Sequence, residues 1–267
     1  MDTNELLQKL HSIEAKNNKI LKELTTVSNN LYSQLESLFW LQKRLNLKKQ
    51  LPPLRGWPVS PDFLLKLHTY ITEEKPKTIV ETGSGVTTLV ITDALRHNGT
   101  GHLYSLEHLE FYGNQTRYNI EIESLQDWVS IRTGPVINWT SEHINQDNGK
   151  PSMWYPLHTL DNIENIDLLI VDGPPASTCP YARYPALPAT FNKLSPRAQV
   201  WMDDANREDE IEICKHWAKE FNMDIDFIPL EKGLCVLSKK EKYKNTMEID
   251  HSTSHSFNFG IKSNNIG

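Results

Sequence analysis

Cysteine is nearly absent from this 267-residue chain, which holds only Cys179, Cys214 and Cys235. Three scattered thiols exclude a disulfide framework and a zinc cluster, both of which need close, patterned spacing. They suit a reducing compartment, and the cytoplasm is expected. Long apolar runs are missing too, and none approaches the ~20 residues of a membrane span. Positive charge is in deficit: 28 Lys and Arg against 34 Asp and Glu leave a formal net charge of −6. With no basic stripe, sequence-independent binding to nucleic acid is not expected. The opening residues Met1–Leu7 are polar and acidic, unlike a signal peptide. Proline and glycine do not occur before Pro52.

That first stretch carries one pattern instead. Leu6, Leu10, Ile13, Asn17, Ile20, Leu24, Val27, Leu31, Gln34, Leu38, Leu41 and Leu45 recur at alternating spacings of four and three. A narrow seam of period 3.5 predicts a coiled-coil helix over residues 1–50, roughly 70 Å long at 1.5 Å per residue. Leu10, Asn17, Leu24, Leu31, Leu38 and Leu45 take its first core position, and Ile13, Ile20 and Val27 the second. Asn17 favours an in-register parallel dimer, whereas Leu opposite Ile and Val pulls toward higher oligomers. A homo-oligomer, dimer or trimer, is expected. The other reading is an amphipathic helix folded back onto its own domain.

Pro52, Pro53, Gly56, Pro58 and Pro61 break the pattern. Residues 51–76 read as a linker and a leading helix over Ser60–Glu74. Strands and helices then alternate through residues 77–239. Strands are expected at Lys77–Thr82, His102–Glu107, Val129–Thr133, Ile166–Asp172, Gln199–Asp203, Asp224–Ile228 and Leu234–Ser238. Helices are expected at Val86–His97, Tyr112–Leu125, Leu187–Lys193 and Arg207–Phe221. Such alternation predicts an α/β fold, a Rossmann-like, doubly wound, mostly parallel seven-stranded sheet. The last two strands flank the turn Glu231-Lys232-Gly233, so the last should run antiparallel. Residues 240–267 are polar and rich in Asn and Ser, and a disordered tail is expected there. His251 and His255 fall in it and are not expected to bind metal.

The chemistry gathers where strands end. Gly83 and Gly85 in Glu81-Thr-Gly83-Ser84-Gly85 form a strand-to-helix turn that lets a ligand approach the backbone. Thr88 stands where a dinucleotide site wants its third glycine, and no Lys-Ser or Lys-Thr pair makes a P-loop. A carboxylate at Glu81 repels polyphosphate and suits a cofactor with an ammonium group. Glu107 ends the next strand, where an acid accepts hydrogen bonds from ribose hydroxyls.

Glu81 to Gly85 followed by Thr87-Thr88, then Tyr104-Ser-Leu-Glu107-His108, resembles the first two motifs of class I S-adenosylmethionine-dependent methyltransferases. The resemblance extends through Asp167–Asp172-Gly-Pro-Pro and Trp201-Met-Asp203-Asp204-Ala-Asn-Arg207, and covers roughly residues 54–239. Within that family it is similar to the branch found in bacterial polysaccharide gene clusters and to plant glycan O-methyltransferases. It implies that Gly83, Ser84 and Gly85 contact the methionine part of S-adenosylmethionine, that Glu81 reaches its amino group, and that Glu107 binds the ribose. It also implies contacts from His108 and Asp172, and adenine near Gly134.

Asp172, Asp203 and Asp204 end neighbouring strands and should converge on that pocket. The mundane roles are a helix cap for Asp204 and an ion pair between Asp203 and Arg207. The chemical role is a hard divalent cation, magnesium above all, held by oxygen ligands and orienting an acceptor hydroxyl. Without a metal, Asp172 is the candidate general base and His108 the second. Arg183, Tyr184 and Arg207 are candidate acceptor contacts, Arg183 and Arg207 for an anionic group. Trp139, Trp154, Tyr155 and Tyr181 offer aromatic faces to a sugar or pack among themselves. Trp57 is a candidate cover for the cofactor. The expected function is methylation of a saccharide hydroxyl, in the cytoplasm or at the inner membrane face through polysaccharide-assembly partners. The alternatives are a small phenolic or amino acceptor, or a coiled-coil scaffold with a relic domain.

Overall fold

A computed structural model describes residues 3–141, 144 and 151–240. The tail with His251 and His255 lies outside the described residues.

The N-terminal helix α1 runs Thr3–Arg44 and α2 Pro61–Glu74. The alternating part follows: β1 Thr78–Thr82, α3 Val86–Asn98, β2 His102–Glu107, α4 Glu110–Ile122 and β3 Val129–Thr133. A two-pair antiparallel ladder, β4 Ile137–Asn138 with β5 Met153–Trp154, stands where the sequence predicts no strand. Then come β6 Ile166–Val171, α5 Ala186–Thr190, β7 Leu194–Asp203, α6 Glu208–Glu220, β8 Met223–Ile228 and β9 Leu234–Lys239.

The main sheet has seven strands in the order β3-β2-β1-β6-β7-β9-β8. β9 alone runs antiparallel to its neighbours and slots between β7 and β8. This is the Rossmann-like, mostly parallel sheet expected. β6 shows why it is covered on both faces. Leu168 and Ile170 join the core under α1, α2 and α3, while Leu169 and Val171 join the core with Ile213 and Trp217 of α6. Each such side chain, fully buried, contributes about 1.5–3 kcal/mol relative to exposure. β7 starts at Leu194, ahead of the expected Gln199. Leu194 pairs with Ile166 and Gln199 with Leu168, so the intervening residues bulge, and Pro196, which lacks an N–H, sits where no ladder bond is needed.

α1 ends at Arg44, six residues short of the expected boundary, and its seam has two fates. From Gln34 onward it docks on the chain's own domain. Leu41 is fully buried, Gln34 exchanges hydrogen bonds with Asp62 (2.9 and 3.2 Å), and Arg44 donates to Thr69 at 2.6 Å. The carboxylates of Asp93 and Glu123 then catch the backbone N–H groups of Asn46, Lys48 and Lys49. N-terminal to this, Leu10, Ile13, Ile20, Leu24, Val27 and Leu31 remain exposed. The fold-back reading thus describes the last quarter of the helix. Among the described residues no helix is long and apolar enough to cross a membrane.

Candidate active site

β2, β1, β6 and β7 lie side by side and parallel, so their carboxyl ends open on one crevice where the strand order switches direction. Every acidic candidate of the expected site stands at or just beyond one of these ends.

The turn after β1 is built for close approach. Gly83 has φ of +92°, a conformation that L side chains rarely adopt, and its N–H donates to Leu106 O at 2.8 Å. Any Cβ here would point at the Asp172 backbone, 3.5 Å away. Thr88, at the place of a third glycine, supplies a brace. Its hydroxyl accepts from Gly85 N–H at 3.0 Å and donates to Glu81 Oε2 at 2.8 Å, closing the N-terminus of α3. Glu81 is fully buried. Burial pushes its carboxyl up to about 8, with the Thr88 bond pulling only weakly the other way.

Glu107, at the end of β2, receives Ser84 N–H and the Ser84 hydroxyl on Oε2, both at 3.0 Å, and Leu109 N–H on Oε1 at 2.9 Å. His108 Nδ1 lies 3.0 Å from the same Oε1. Burial would raise this carboxyl, but His108 and the amides of Leu109 and Ser84 outweigh it and hold Glu107 below its ordinary value. Gly134, just past β3, donates its N–H to Glu107 O at 2.9 Å. His108 therefore belongs to the Glu107 side. β1 separates it from β6 and Asp172, which disfavours the expected second base.

Ligand oxygens of Asp172, Asp203 and Asp204 come within 4.8 Å of one another. One cation already stands among them. Arg183 is nearly fully buried and places Nη2 at 2.8 Å from Asp204 Oδ2 and 3.2 Å from Asp172 Oδ1. Its Nη1 donates to Asp203 O at 2.9 Å and lies 3.7 Å from Glu210 Oε1. Arg207, half exposed, adds a bond of 2.9 Å to Asp204. Negative charge still exceeds positive. Burial and the Asp203 carboxylate push Asp172 well above the carboxylate range, and burial with Asp204 pushes Asp203 up to about 6. Both carboxylate oxygens of Asp203 are buried without a hydrogen-bond partner. Unmatched acceptors beside surplus negative charge fit a divalent cation held by oxygen.

Several candidates change role. Arg183, expected to reach an acceptor anion, is committed to the carboxylates. Tyr184, expected beside it, is 1% exposed and belongs to the core, its hydroxyl donating to Glu220 at 2.9 Å. The turn before α5 points it inward under Trp217, whose indole N–H donates to Tyr184 O. Asp204 pairs with Arg207, the bond expected of Asp203. Trp154 and Tyr155 are buried, and Tyr181 donates to Glu212 at 2.6 Å. Trp57 is 77% exposed. Lys232 Nζ grips the carbonyls on either side of it, Gly56 O and Pro58 O, at 2.8 and 2.7 Å. Glu210 was not singled out from the sequence, where it reads as one of several solvated acids opening α6.

Residues 80–205 match the model of a family described as a methyltransferase domain. No curated protein matches the chain. Among solved structures, a Podospora anserina methyltransferase bound to S-adenosylhomocysteine is similar at a TM-score of 0.54 and 16% identity, over 78% of this chain and 88% of that one. An O-methyltransferase from Streptomyces achromogenes, involved in tomaymycin synthesis and complexed with S-adenosylmethionine, reaches 0.53 at 13% identity over 80% and 96%. An O-methyltransferase from Bacillus cereus complexed with S-adenosylhomocysteine reaches 0.51 at 18% identity over 78% and 91%. At these identities the likeness is one of fold, and the fold is that of class I methyltransferases.

Proposed function

From a methyltransferase domain of the class I, S-adenosylmethionine-dependent fold, we propose that this chain is an O-methyltransferase acting on a saccharide hydroxyl. The observation that carries the reading is the row of carboxylates at adjacent strand ends. Glu107 stands on one side of the glycine turn, and Asp172, Asp203 and Asp204 stand on the other. When bound, S-adenosylmethionine supplies an electrophilic methyl group. Glu107, kept ionised and oriented by Ser84 and Leu109, accepts hydrogen bonds from the ribose hydroxyls. Gly83 and Gly85 let the methionine end lie against the backbone, and Glu81 faces its ammonium group. Asp172, Asp203 and Asp204 would hold a divalent cation, whose chemistry there is to acidify an acceptor hydroxyl. These residues align the acceptor oxygen with the methyl group for in-line displacement, where alignment supplies much of the rate. Exposed Trp57, flanked by carbonyls that Lys232 holds from the turn following β8, offers a flat face to a sugar ring.

The test is methyl transfer from S-adenosylmethionine to a panel of saccharide acceptors. EDTA should abolish turnover and magnesium should restore it. Transfer only to phenols or amines would overturn the acceptor class, and indifference to EDTA would leave Asp172 as the base.

Glu81 gives the donor site a pH signature. Its carboxyl is mostly protonated below about pH 8, and the donor's ammonium group favours the ionised form. Affinity for S-adenosylhomocysteine is therefore expected to rise between pH 6 and 8, by up to about tenfold per pH unit. Calorimetry on Glu81→Gln should show a flat profile, and an unchanged slope would show that Glu81 does not face the ammonium. In the free protein the sign is opposite. The stability that goes with Glu81's raised carboxyl is fully present below about 4.5 and is lost as pH rises through about 8.

The exposed seam Leu10–Leu31 pairs with a second copy in parallel. Asn17 at a first core position meets its own copy there. Light scattering should give an oligomer for the whole chain and a monomer for Leu24→Asp. A monomeric wild type would sink this part.

A further inference from the structure

Tyr155 lies across the carboxyl ends of neighbouring parallel strands. Its ring makes an edge contact with His108, at 6.3 Å between centroids, just past the end of β2. Its hydroxyl reaches Gly173, two residues past the end of β6, where an added Cβ would lie 2.7 Å from it. β1 runs between β2 and β6, so the phenol spans the end of β1, above the Gly83 turn. Pro156, the next residue, packs on Gly134 beyond β3, 3.7 Å from the place of a Cβ there. Two consecutive residues thus cover the carboxyl ends of β3, β2, β1 and β6 in turn. That is the crevice in which this class of sheet binds its ligands.

The fit is incomplete in one respect. Tyr155 is 2% exposed, and its hydroxyl has no hydrogen-bond partner. A buried hydroxyl normally finds a partner, and leaving one unmatched destabilises the arrangement that buries it. The segment is attached on either side. N-terminal to Tyr155, the β4–β5 ladder has two residue pairs. C-terminal to it, Arg132 holds Thr159 O and Asp161 O at 2.7 and 2.9 Å.

We propose that Tyr155 and Pro156 form a self-docked plug, which fills the donor crevice in the free chain and swings out when S-adenosylmethionine enters. The inference rests on the reading that the donor binds in this crevice. Donor affinity is then lowered by the fraction of chains whose crevice is plugged, and removing the phenol raises it.

Two measurements on the whole chain test this. Calorimetry with S-adenosylhomocysteine should show Tyr155→Ala binding about tenfold more tightly than wild type. Hydrogen exchange on the wild type should show the amides of 153–158 exchanging faster once S-adenosylhomocysteine saturates the protein. This second measurement needs no variant to fold. Equal or weaker binding by a folded Tyr155→Ala protein, or slower exchange in 153–158, overturns the plug while leaving the donor reading intact. If S-adenosylhomocysteine binds neither protein, the donor reading fails and the plug fails with it.

Discussion

Replacing Arg183 with leucine is expected to destabilise the protein by about 3–5 kcal/mol near pH 8, because it leaves buried carboxylates without their cation. Arg183 is the one fully buried cation described among Asp172, Asp203, Asp204 and Glu210. An engineered apolar core could do without the whole network, but removing one sign alone strands the other. The pH dependence gives the sign a second check. Asp172 and Asp203 already sit above the ordinary carboxylate range, and losing Arg183 raises them further. Groups whose folded value is raised contribute stability below their unfolded value near 4 and lose it as pH rises through the folded value. The deficit of Arg183→Leu should therefore shrink toward pH 5 and grow toward pH 8. Urea denaturation at both values measures it, and a pH-independent loss would mean that packing, not charge, is what Arg183 provides. If the cluster holds a divalent cation, magnesium should recover part of the stability in the variant.

Asp172→Asn should separate chemistry from architecture. The asparagine carbonyl can still accept from Arg183, whose second bond goes to the Asp172 backbone O at 3.0 Å and is untouched. The fold should therefore survive, and thermal stability should hold or rise slightly, since one carboxylate leaves a crowded cluster. Methyl transfer is expected to fall by about 10²–10⁴-fold, the range for loss of a positioned base or equivalent activation. S-adenosylhomocysteine binding should fall far less than turnover, because Glu107 and the glycine turn remain. A variant that is both stable and active would remove Asp172 from the mechanism.

The two fates of α1 mark a limit of sequence reading. The seam from Leu10 to Leu45 is one uninterrupted pattern, and nothing in its period separates Leu31 from Leu38. Apolar periodicity shows that a face needs cover, but not whether another chain or the chain's own α2 covers it. Asp62, 28 residues past Gln34, makes the choice by meeting it. Tyr184 failed for a similar reason. An aromatic in an irregular stretch reads the same from either side, and only the turn before α5 aims it at Trp217.

Local pattern determined much by itself. β6 reads as buried on both faces because Ile166 to Val171 is nearly all apolar, and parallel strands between helices demand that. Glu81, Gly83, Glu107, Asp172 and Asp203 fall at strand ends because each closes an apolar run or follows one, and α/β topology then brings those ends together. Tertiary structure alone decided the partners. Arg183 joins the carboxylates from a loop eleven residues past Asp172, Glu210 joins from the first turn of α6, and Tyr155 lies over the glycine turn from 72 residues away. Such contacts carry no periodicity, since they depend on where loops land once the sheet is packed. The backbone pattern thus determines which end of the strands carries the candidate site, and packing decides which side chains meet there.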